Sequence, residues 1–497
     1  MIWPIRIDID PTTIFPVLVA LYYVVIVAVC IKIIIDTTNT TKALAYLFLV
    51  VFLPFVGMAL YFSIGINYRK RRMFKKKLGS DTMDHGTLET RIRAFSGDIL
   101  KKHRHSFAHY HQLASIIFPS AGIITANNHV RLLKNGETKY PEVLETLQHA
   151  QHHIHMEYYI YENDTIGNEI ANVLMEKAKA GIAVRFIYDD FGSKNIRKNL
   201  VKRLRESGVE TAPFYKIKLV ALANRLNYRN HRKIIVVDGT IGFVGGINVS
   251  DKYINARPYN TGNHLFWRDT HLRIEGQAVV NLQHIFLTDW NFCARDTLKL
   301  SKMYFPTLTT KDAYGNQLVQ ISVSGPDSTY PNIMYALIQA ILLSKKEILI
   351  TTPYFIPEKS YTDALMIAAL SGVSVKIMVP GISDSVLVNA AANSYYEGLL
   401  DAGVKIYKYQ KGFVHAKTMV CDGLVSFVGT ANLDNRSFDL NFEVNAIVYD
   451  AELASQLRQD FLEDVGDALE IMVEDWKNRP YTTQILERTA RLLSPLL

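Results

Sequence analysis

Residues 230–251 read "NHRKIIVVDGTIGFVGGINVSD", and residues 414–435 read "VHAKTMVCDGLVSFVGTANLDN". His231, Lys233 and Asp238 of the first stretch fall in register with His415, Lys417 and Asp422 of the second, as do Gly245 and Asn248 with Gly429 and Asn432. Agreement at this many positions marks a repeat. In each copy an apolar run, an Asp-Gly dipeptide and a second apolar run predict a strand, a tight turn and a strand. Side chains two apart on a strand share a face, so each histidine projects beside its lysine, a nucleophile or base next to an anion clamp. Asp238 and Asp422 have two readings, a catalytic carboxylate or simply the residue a tight turn favours. Both are carried here with the catalytic set.

The repeat extends beyond the motifs. "AQHHIHMEYYIY" parallels "SKKEILITTPYFIP", "KAGIAVRFIYDD" parallels "LSGVSVKIMVPG", and "ESGVETAPFY" parallels "DAGVKIYKYQ". Short apolar strands alternate with helical segments such as "NEIANVLMEKAKA", the grammar of a sheet covered by helices. The expected fold is therefore α/β, two pseudo-symmetric repeats with mixed sheets covered by helices. The expected boundaries are 122–310 and 311–497, the second including C-terminal helices. Joined pseudo-symmetrically, the repeats bring His231 and His415 to one axis, so one site receives half of its machinery from each. About 11 extra residues precede the first motif, within "YKIKLVALANRLNYRN". This loop carries Lys216, Lys218, Arg225 and Arg229, and is expected at the mouth of the site.

Two apolar runs open the chain, Ile14 to Ile35 and Ala43 to Ile64. At about 22 residues each they rise roughly 33 Å, enough for a hydrocarbon core of about 30 Å. Residues 1–68 are thus expected to form a transmembrane hairpin, with Lys32 snorkelling. The first run lacks the leader and cleavage site of a signal peptide. A short polar loop separates the runs, whereas Arg69, Lys70, Arg71, Arg72, Lys75, Lys76 and Lys77 follow the second. Excess cations lie on the cytoplasmic side, which puts the catalytic domain there and assigns residues 69–121 to a basic juxtamembrane and polar linker. These cations supply nearly all of the net charge of +8. The remainder is almost neutral, which disfavours a nucleic-acid partner and suits a belt facing anionic lipid. Cys30, Cys293 and Cys421 show neither disulfide nor metal spacing. His105 and His109, within the cluster formed with His103 and His111, have ligand spacing only on a helix and lack an acidic or cysteine partner nearby. No metal or other cofactor is expected.

Two His-Lys pairs around one pocket suit phosphoryl chemistry. One imidazole attacks phosphorus, the other protonates the leaving alkoxide, and Lys233, Lys417, Asn248 and Asn432 neutralise the phosphoryl oxygens. A nucleophilic imidazole needs its other nitrogen held, and Asp269 in "FWRDTHLRIEG" and Glu443 in "NLDNRSFDLNFEVN" are expected to orient His231 and His415 respectively. Weaker candidates are Asp189, Asp190 and Asp384 at strand ends, Tyr354 and Phe355 as groove lining or core, and Arg436 and Ser437 as phosphate contacts or turn braces. "ILERTARLLSPLL" reads as an amphipathic helix that either grazes the membrane or packs on the catalytic domain.

Both motif copies match H-x-K-x4-D-x6-G-[GST]-x-N completely. At these residues the sequence resembles the phospholipase D superfamily and, taken whole, its bacterial cardiolipin synthases. The hydrophobic hairpin, the basic cluster, "LLKNGETKYPEVLETLQHAQHHIHMEYYIY" and "NLDNRSFDLNFE" carry that likeness. The resemblance implies transfer of a phosphatidyl group between two phosphatidylglycerols through a phosphatidyl-histidine, with release of glycerol, at the bacterial cytoplasmic membrane. The first-motif histidine is more often the nucleophile in such relatives. The residues leave open which histidine attacks, the acceptor lipid and the oligomeric state, with a membrane phospholipase D or a tethered nucleic-acid phosphodiesterase as alternatives.

Overall fold

The computed structural model describes residues 11–37, 40–62, 83–117, 122–215, 228–256, 258–259, 265–294, 296–298, 301–306, 314–492 and 494. The basic cluster and most of the 215–230 loop lie outside the described residues. The chain forms two compact units, the N-terminal helices and the α/β body that holds both motifs.

In the first unit, α1 (Pro11–Asp36) contains one continuous apolar span, Phe15–Asp36. Its 22 residues match a hydrocarbon core in length. Lys32 pairs with Asp36 at 3.0 Å near its end. The second apolar run differs from expectation: it is not one helix. It divides into α2 (Thr40–Phe52) and α3 (Pro54–Leu60) at Leu53, whose φ/ψ of −133°/67° is not helical. The cause is Pro54, whose ring disfavours the helical region for the residue before it. Val29, Ile33, Val50 and Tyr61 are buried within this unit. Phe15, Phe48 and Phe55 are exposed, as apolar side chains facing lipid would be.

The second unit contains β1 (Ile123–Lys134), β2 (His153–Tyr158), β3 (Ala183–Asp189), β4 (Glu210–Phe214), β5 (Lys233–Val237), β6 (Ile241–Gly245), β7 (Phe266–Arg268), β8 (Thr270–Gly276), β9 (Gln317–Ser324) and β10 (Glu347–Thr351). It continues with β11 (Phe355–Ile356), β12 (Ser374–Pro380), β13 (Lys405–Tyr409), β14 (Gly412–Val414), β15 (Thr418–Cys421), β16 (Val425–Gly429), β17 (Leu433–Asp434), β18 (Glu443–Tyr449) and β19 (Ala468–Glu470). The mixed strands of both repeats join in one 15-stranded sheet, β19-β13-β12-β10-β15-β16-β18-β9-β1-β8-β6-β5-β2-β3-β4. The order outward from the β9–β1 junction is the same in both directions for seven strands, and β19 extends one edge. In each half two parallel pairings lie outside the antiparallel strands that include the motif hairpin, and in the second half antiparallel β19 adds a further edge strand. Antiparallel β1 and β9 join the halves, pairing Ile123 with Ile321.

Each half has its own core. Ile154, Phe186 and Ile235 pack with Ile170 and Leu204 in the first, and Ile350, Ile377 and Met419 with Leu337 and Leu365 in the second. A third core spans the junction: Ile234, Leu272, Val420 and Val444 pack with Leu282 of the helix Val279–Cys293 and Leu457 of the helix Ala451–Gly466. That shared core seats the motif strands β5 and β15 on one rigid frame.

Candidate active site

The motif hairpins turn as expected. Asp238 and Gly239 have φ of 53° and 68°, Asp422 and Gly423 of 54° and 66°, the left-handed pairs that a two-residue hairpin requires. The carboxylates serve the turn. Asp238 accepts backbone N–H groups of Gln151, His152 and His153 at 2.8–2.9 Å. Asp422 accepts those of Lys345, Lys346 and Glu347, and also the Tyr110 hydroxyl at 3.0 Å. Six residues of largely extended chain, roughly 20 Å, separate each from its histidine. The catalytic reading of Asp238 and Asp422 is therefore corrected: they pin the ends of β2 and β10 at the far end of the hairpin.

His109 also contacts Asp422, at 3.0 Å. His105 and His109 do not share a helix, because the helix begun at Met83 ends at Lys102. Among the described residues no group of three His, Cys, Asp or Glu is placed to hold a metal.

At the other end of the hairpins the two motifs meet. Both histidines are 8% exposed, and the carboxylates Asp269 and Glu443 are fully buried. The expected pairing is corrected here, because it is crossed. His231 Nδ1 lies 3.0 Å from Glu443, and His415 Nδ1 lies 2.7 Å from Asp269. The backbone explains the crossing. β14, which leads into His415, pairs with β7, which leads into Asp269, and the His415 N–H donates to the Arg268 carbonyl at 2.7 Å. Symmetrically, Asn230 bridges Phe442, and the His231 N–H donates to the Phe442 carbonyl at 3.0 Å. Each histidine thus enters beside the carboxylate of the other repeat.

The motif's small residues make room for these pairs. A Cβ at Gly246 would collide with the Asp269 carboxylate, and one at Gly429 with the Asn445 side chain. Thr430, which matches Gly246, donates its hydroxyl to Glu443, and Asn441 Nδ2 donates to the same carboxylate at 3.1 Å. An Nδ1–H donated to a carboxylate leaves Nε2 with its lone pair toward the exposed edge, the tautomer a nucleophile needs.

Lys233 and Lys417 are buried, and each donates to the carbonyl of its own histidine, at 2.8 and 2.5 Å. Burial and then the Lys417 charge lower the Lys233 ammonium to about 7. Burial lowers Lys417 to about 8 against the pull of Asp269 and Glu443. Two buried ammoniums, one lowered by the charge of the other, form a strong site for an anion. Burial, then Lys417, brings His415 down to about 3, and burial also lowers His231 in spite of Glu443. Both imidazoles are neutral at pH 7. Glu443 is held below the usual carboxylate range, because His231 and Lys233 outweigh its burial.

The remaining candidates separate. Asn248 is engaged, its Nδ2 donating to the Tyr253 hydroxyl at 2.7 Å and its Oδ1 accepting from Ile160 N–H at 3.2 Å. Asn432 Oδ1 has no hydrogen-bond partner among the described residues. Asp189 accepts from Phe191, Gly192 and Asn230 N–H groups, fixing the approach to the first motif. Asp190 pairs with Arg197 at 3.1 Å. Tyr354 donates to Asp384 at 2.6 Å, whereas Phe355 is in the core. Ser437 Oγ accepts the Asn432 N–H. The C-terminal helix, Tyr481–Arg491, buries Glu487 and Ala490 and ties to Asn393 through Glu487 at 2.9 Å; Ile485 and Leu486 remain exposed.

Sequence reasoning missed five contributors. The Tyr159 ring lies 4.8 Å from that of His231, and Trp267, Tyr253 and Phe413 lie 5.5–5.9 Å from His415. Tyr159 follows the wholly buried run His153–Tyr158, where apolar patterning gives no cue. Lys139 was also missed; its buried ammonium donates to the carbonyls of Ile247 and Asn248, behind the first motif.

Residues 143–290 and 337–465 match the family described as cardiolipin synthase, phospholipase D-like domain, and residues 21–65 match the phospholipase D-nuclease N-terminal family. The chain is 43% identical over 448 residues to a cardiolipin synthase of Geobacillus sp. (strain WCH70), covering 89% of this chain and 86% of that one. It is 39% identical over 490 residues to the major cardiolipin synthase ClsA of Bacillus subtilis (strain 168), covering 97% and 99%. The crystal structure of phosphatidylserine synthase from Haemophilus influenzae Rd KW20 is similar in fold, with a TM-score of 0.55 at 13% identity over 74% of this chain and 95% of that one.

Proposed function

The chain belongs to the cardiolipin synthase family of phospholipase D-like phosphatidyltransferases, and on that premise we propose that it joins two phosphatidylglycerols into cardiolipin and releases glycerol. The observation that carries this reading is the crossed pair of histidine–carboxylate dyads with two buried lysines between them. In the first step Nε2 of one histidine forms a bond to phosphorus, and the P–O bond to glycerol breaks. The other imidazole gives the departing alkoxide its proton. Both rings are neutral without substrate, so that proton is taken up when an anionic phosphodiester enters and favours the charged imidazole. In the second step the same imidazole removes the hydroxyl proton of the second phosphatidylglycerol, the new P–O bond forms and the N–P bond breaks. Lys233 and Lys417 hold the phosphoryl oxygens throughout. Asp269 and Glu443 support the imidazolium, and Asn432, with its open carboxamide, is a further oxygen contact. No step draws on a metal.

Water, at about 55 M, competes with the second lipid, but effective molarities of roughly 10⁵ M or more for well-placed partners reverse that advantage. A membrane-anchored site supplies such placement. We place the catalytic body on the cytoplasmic face, following the Arg69–Lys77 cluster. In that arrangement the second apolar run crosses the membrane as a helix broken at Pro54. A reporter fused after Lys77 then reads cytoplasmic and one in the Thr37 to Thr41 loop reads external; labelling of residue 80 by an impermeant reagent in intact cells would refute this.

The decisive experiment is product analysis in phosphatidylglycerol bilayers. Cardiolipin and glycerol in near-equal amounts with little phosphatidic acid is the expected result. Phosphatidic acid as the main product would make the enzyme a hydrolase.

A further inference from the structure

Arg229 lies two residues before His231 and is 2% exposed, yet Nε, Nη1 and Nη2 all lack a hydrogen-bond partner among the described residues. The other buried arginines near the motifs are engaged. Arg232 bonds Asp289, and Arg268 reaches Asp460 at 3.1 Å and Asp464 at 2.9 Å. Arg229 makes a long ion pair with Asp189, at 3.9 Å from Nη1 and beyond a hydrogen bond, and Asp190 acts on it more weakly. The Asp189 oxygens are already occupied by the N–H groups of Phe191, Gly192 and Asn230. A buried guanidinium with unused donors is costly, and a planar fork of this kind is shaped for carboxylate or phosphate.

Its surroundings point it toward the active site. The guanidinium lies 4.7 Å from the centre of the Phe191 ring, both Arg229 and Arg436 act electrostatically on the Tyr159 hydroxyl, and Arg436 acts on Arg229. The Tyr159 ring in turn packs at 4.8 Å on His231 and 5.6 Å from the Lys233 ammonium. The second repeat has Phe413 at the position matching Arg229, and Trp267 and Tyr253 beside it around His415. The feature is therefore no part of the repeated motif and gives the site one cationic end.

We propose that Arg229 is a specificity-determining anion-binding residue that holds a lipid phosphodiester beside His231. This rests on the phosphatidyl-transfer reading above. Two phosphodiesters meet during that reaction, the one being broken and the intact one of the acceptor lipid, and the experiment separates them.

Initial rates for the wild type, Arg229→Gln and Arg229→Lys are measured in mixed micelles, for cardiolipin formation from phosphatidylglycerol and for transfer of the same phosphatidyl group to ethanol. Inhibition by inorganic phosphate is measured alongside. Arg229→Gln is expected to lower kcat/KM for phosphatidylglycerol about 10- to 100-fold, the loss of charge-assisted hydrogen bonds, mostly through KM. It also weakens phosphate inhibition, and Arg229→Lys recovers part of both. Equal losses toward lipid and ethanol identify the reacting phosphodiester; a loss confined to cardiolipin identifies the acceptor's. Unchanged KM and unchanged phosphate inhibition in a folded Arg229→Gln variant would overturn the proposal. Should that variant not fold, Arg229→Lys decides: weakened phosphate inhibition at an unchanged Tm supports the proposal, and unchanged inhibition overturns it. A wild type that yields phosphatidic acid in place of cardiolipin defeats the transfer reading, a result distinct from the phosphate arm.

Discussion

The surroundings of His231 and of His415 differ far more than their motifs do. Each ring is held at Nδ1 by a buried carboxylate from the other repeat, and each has a lysine donating to its own carbonyl. Behind His231, however, lies a buried polar frame in which Asn230 bonds Glu157 and Arg232 bonds Asp289, with Arg229 and Tyr159 alongside. Around His415 stand Trp267, Tyr253 and Phe413, and Ala416 takes the position of Arg232. The repeat reproduces the histidine, lysine and carboxylate in each half, and the lining around them departs from symmetry.

The comparison breaks most readily at the histidines. His231→Ala and His415→Ala are each expected to lose roughly 10⁴-fold in transfer, since general acid–base contributions alone reach about 10²–10⁴. If either variant kept more than a few per cent of wild-type activity in a lipid product assay, the two halves would not share one site. Acid-quenched mass spectrometry of the wild type sharpens the comparison further, by showing which ring carries the phosphatidyl group.

Removing a lysine comes next. Lys233→Ala and Lys417→Ala should each cost about 10²–10³-fold, the scale of one preorganised transition-state donor. The same groups set the pH profile. An ammonium clamp is present below its pKa and lost above it, so kcat/KM falls as pH rises through about 7 for Lys233 and about 8 for Lys417. On the acid side activity persists well below the usual imidazole range, because His415 charges only near 3. A rate still climbing between pH 8 and 9 would contradict this assignment of the alkaline limb.

The crossed carboxylates should matter less. Glu443→Gln and Asp269→Asn are expected to cost about 10- to 100-fold, as for residues that orient a functional histidine. The crossing itself is tested by imidazole ¹⁵N shifts: Glu443→Gln should move the His231 Nδ1 signal and leave His415 nearly still. The reverse result would restore the uncrossed pairing.

The smallest effect on rate belongs to the turn aspartates. Asp238→Asn and Asp422→Asn should leave kcat within a few-fold and lower stability by about 1–3 kcal/mol, the cost of weakened buried hydrogen bonds. Backbone N–H groups hold the Asp422 carboxyl below its ordinary value against burial. Its contribution is therefore complete above the unfolded carboxyl range and fades as pH falls through the lower folded value. An Asp422→Asn variant that unfolds at the same acid pH as the wild type would remove this role, and one that is folded yet inactive would return Asp422 to the catalytic set.

Much of this was legible in the chain because it rests on local rules. Two apolar strands around an Asp-Gly pair give a hairpin wherever they occur, and the spacing of His231 from Lys233 and of His415 from Lys417 puts each pair on one face. Repetition then implied pseudo-symmetric halves, which the mirrored strand order bears out. The first apolar run was readable as a span by length alone, whereas the break at Leu53 follows from Pro54, whose local effect outweighed the composition of the second run.

What the sequence determined by itself was the set of reacting groups and the class of fold, since periodicity, turn chemistry and motif spacing act over a few residues. Only the tertiary structure decided which carboxylate serves which histidine, that Asp238 and Asp422 stand at the wrong end of the hairpins for catalysis, that β1 and β9 fuse the halves into one sheet, and that Arg229 is buried with unused donors. The physical reason is the range of the interactions. Asp269 and Glu443 lie 146 and 212 residues from the rings they hold, and these partners are chosen by strand pairing between repeats, a long-range register that no local pattern encodes.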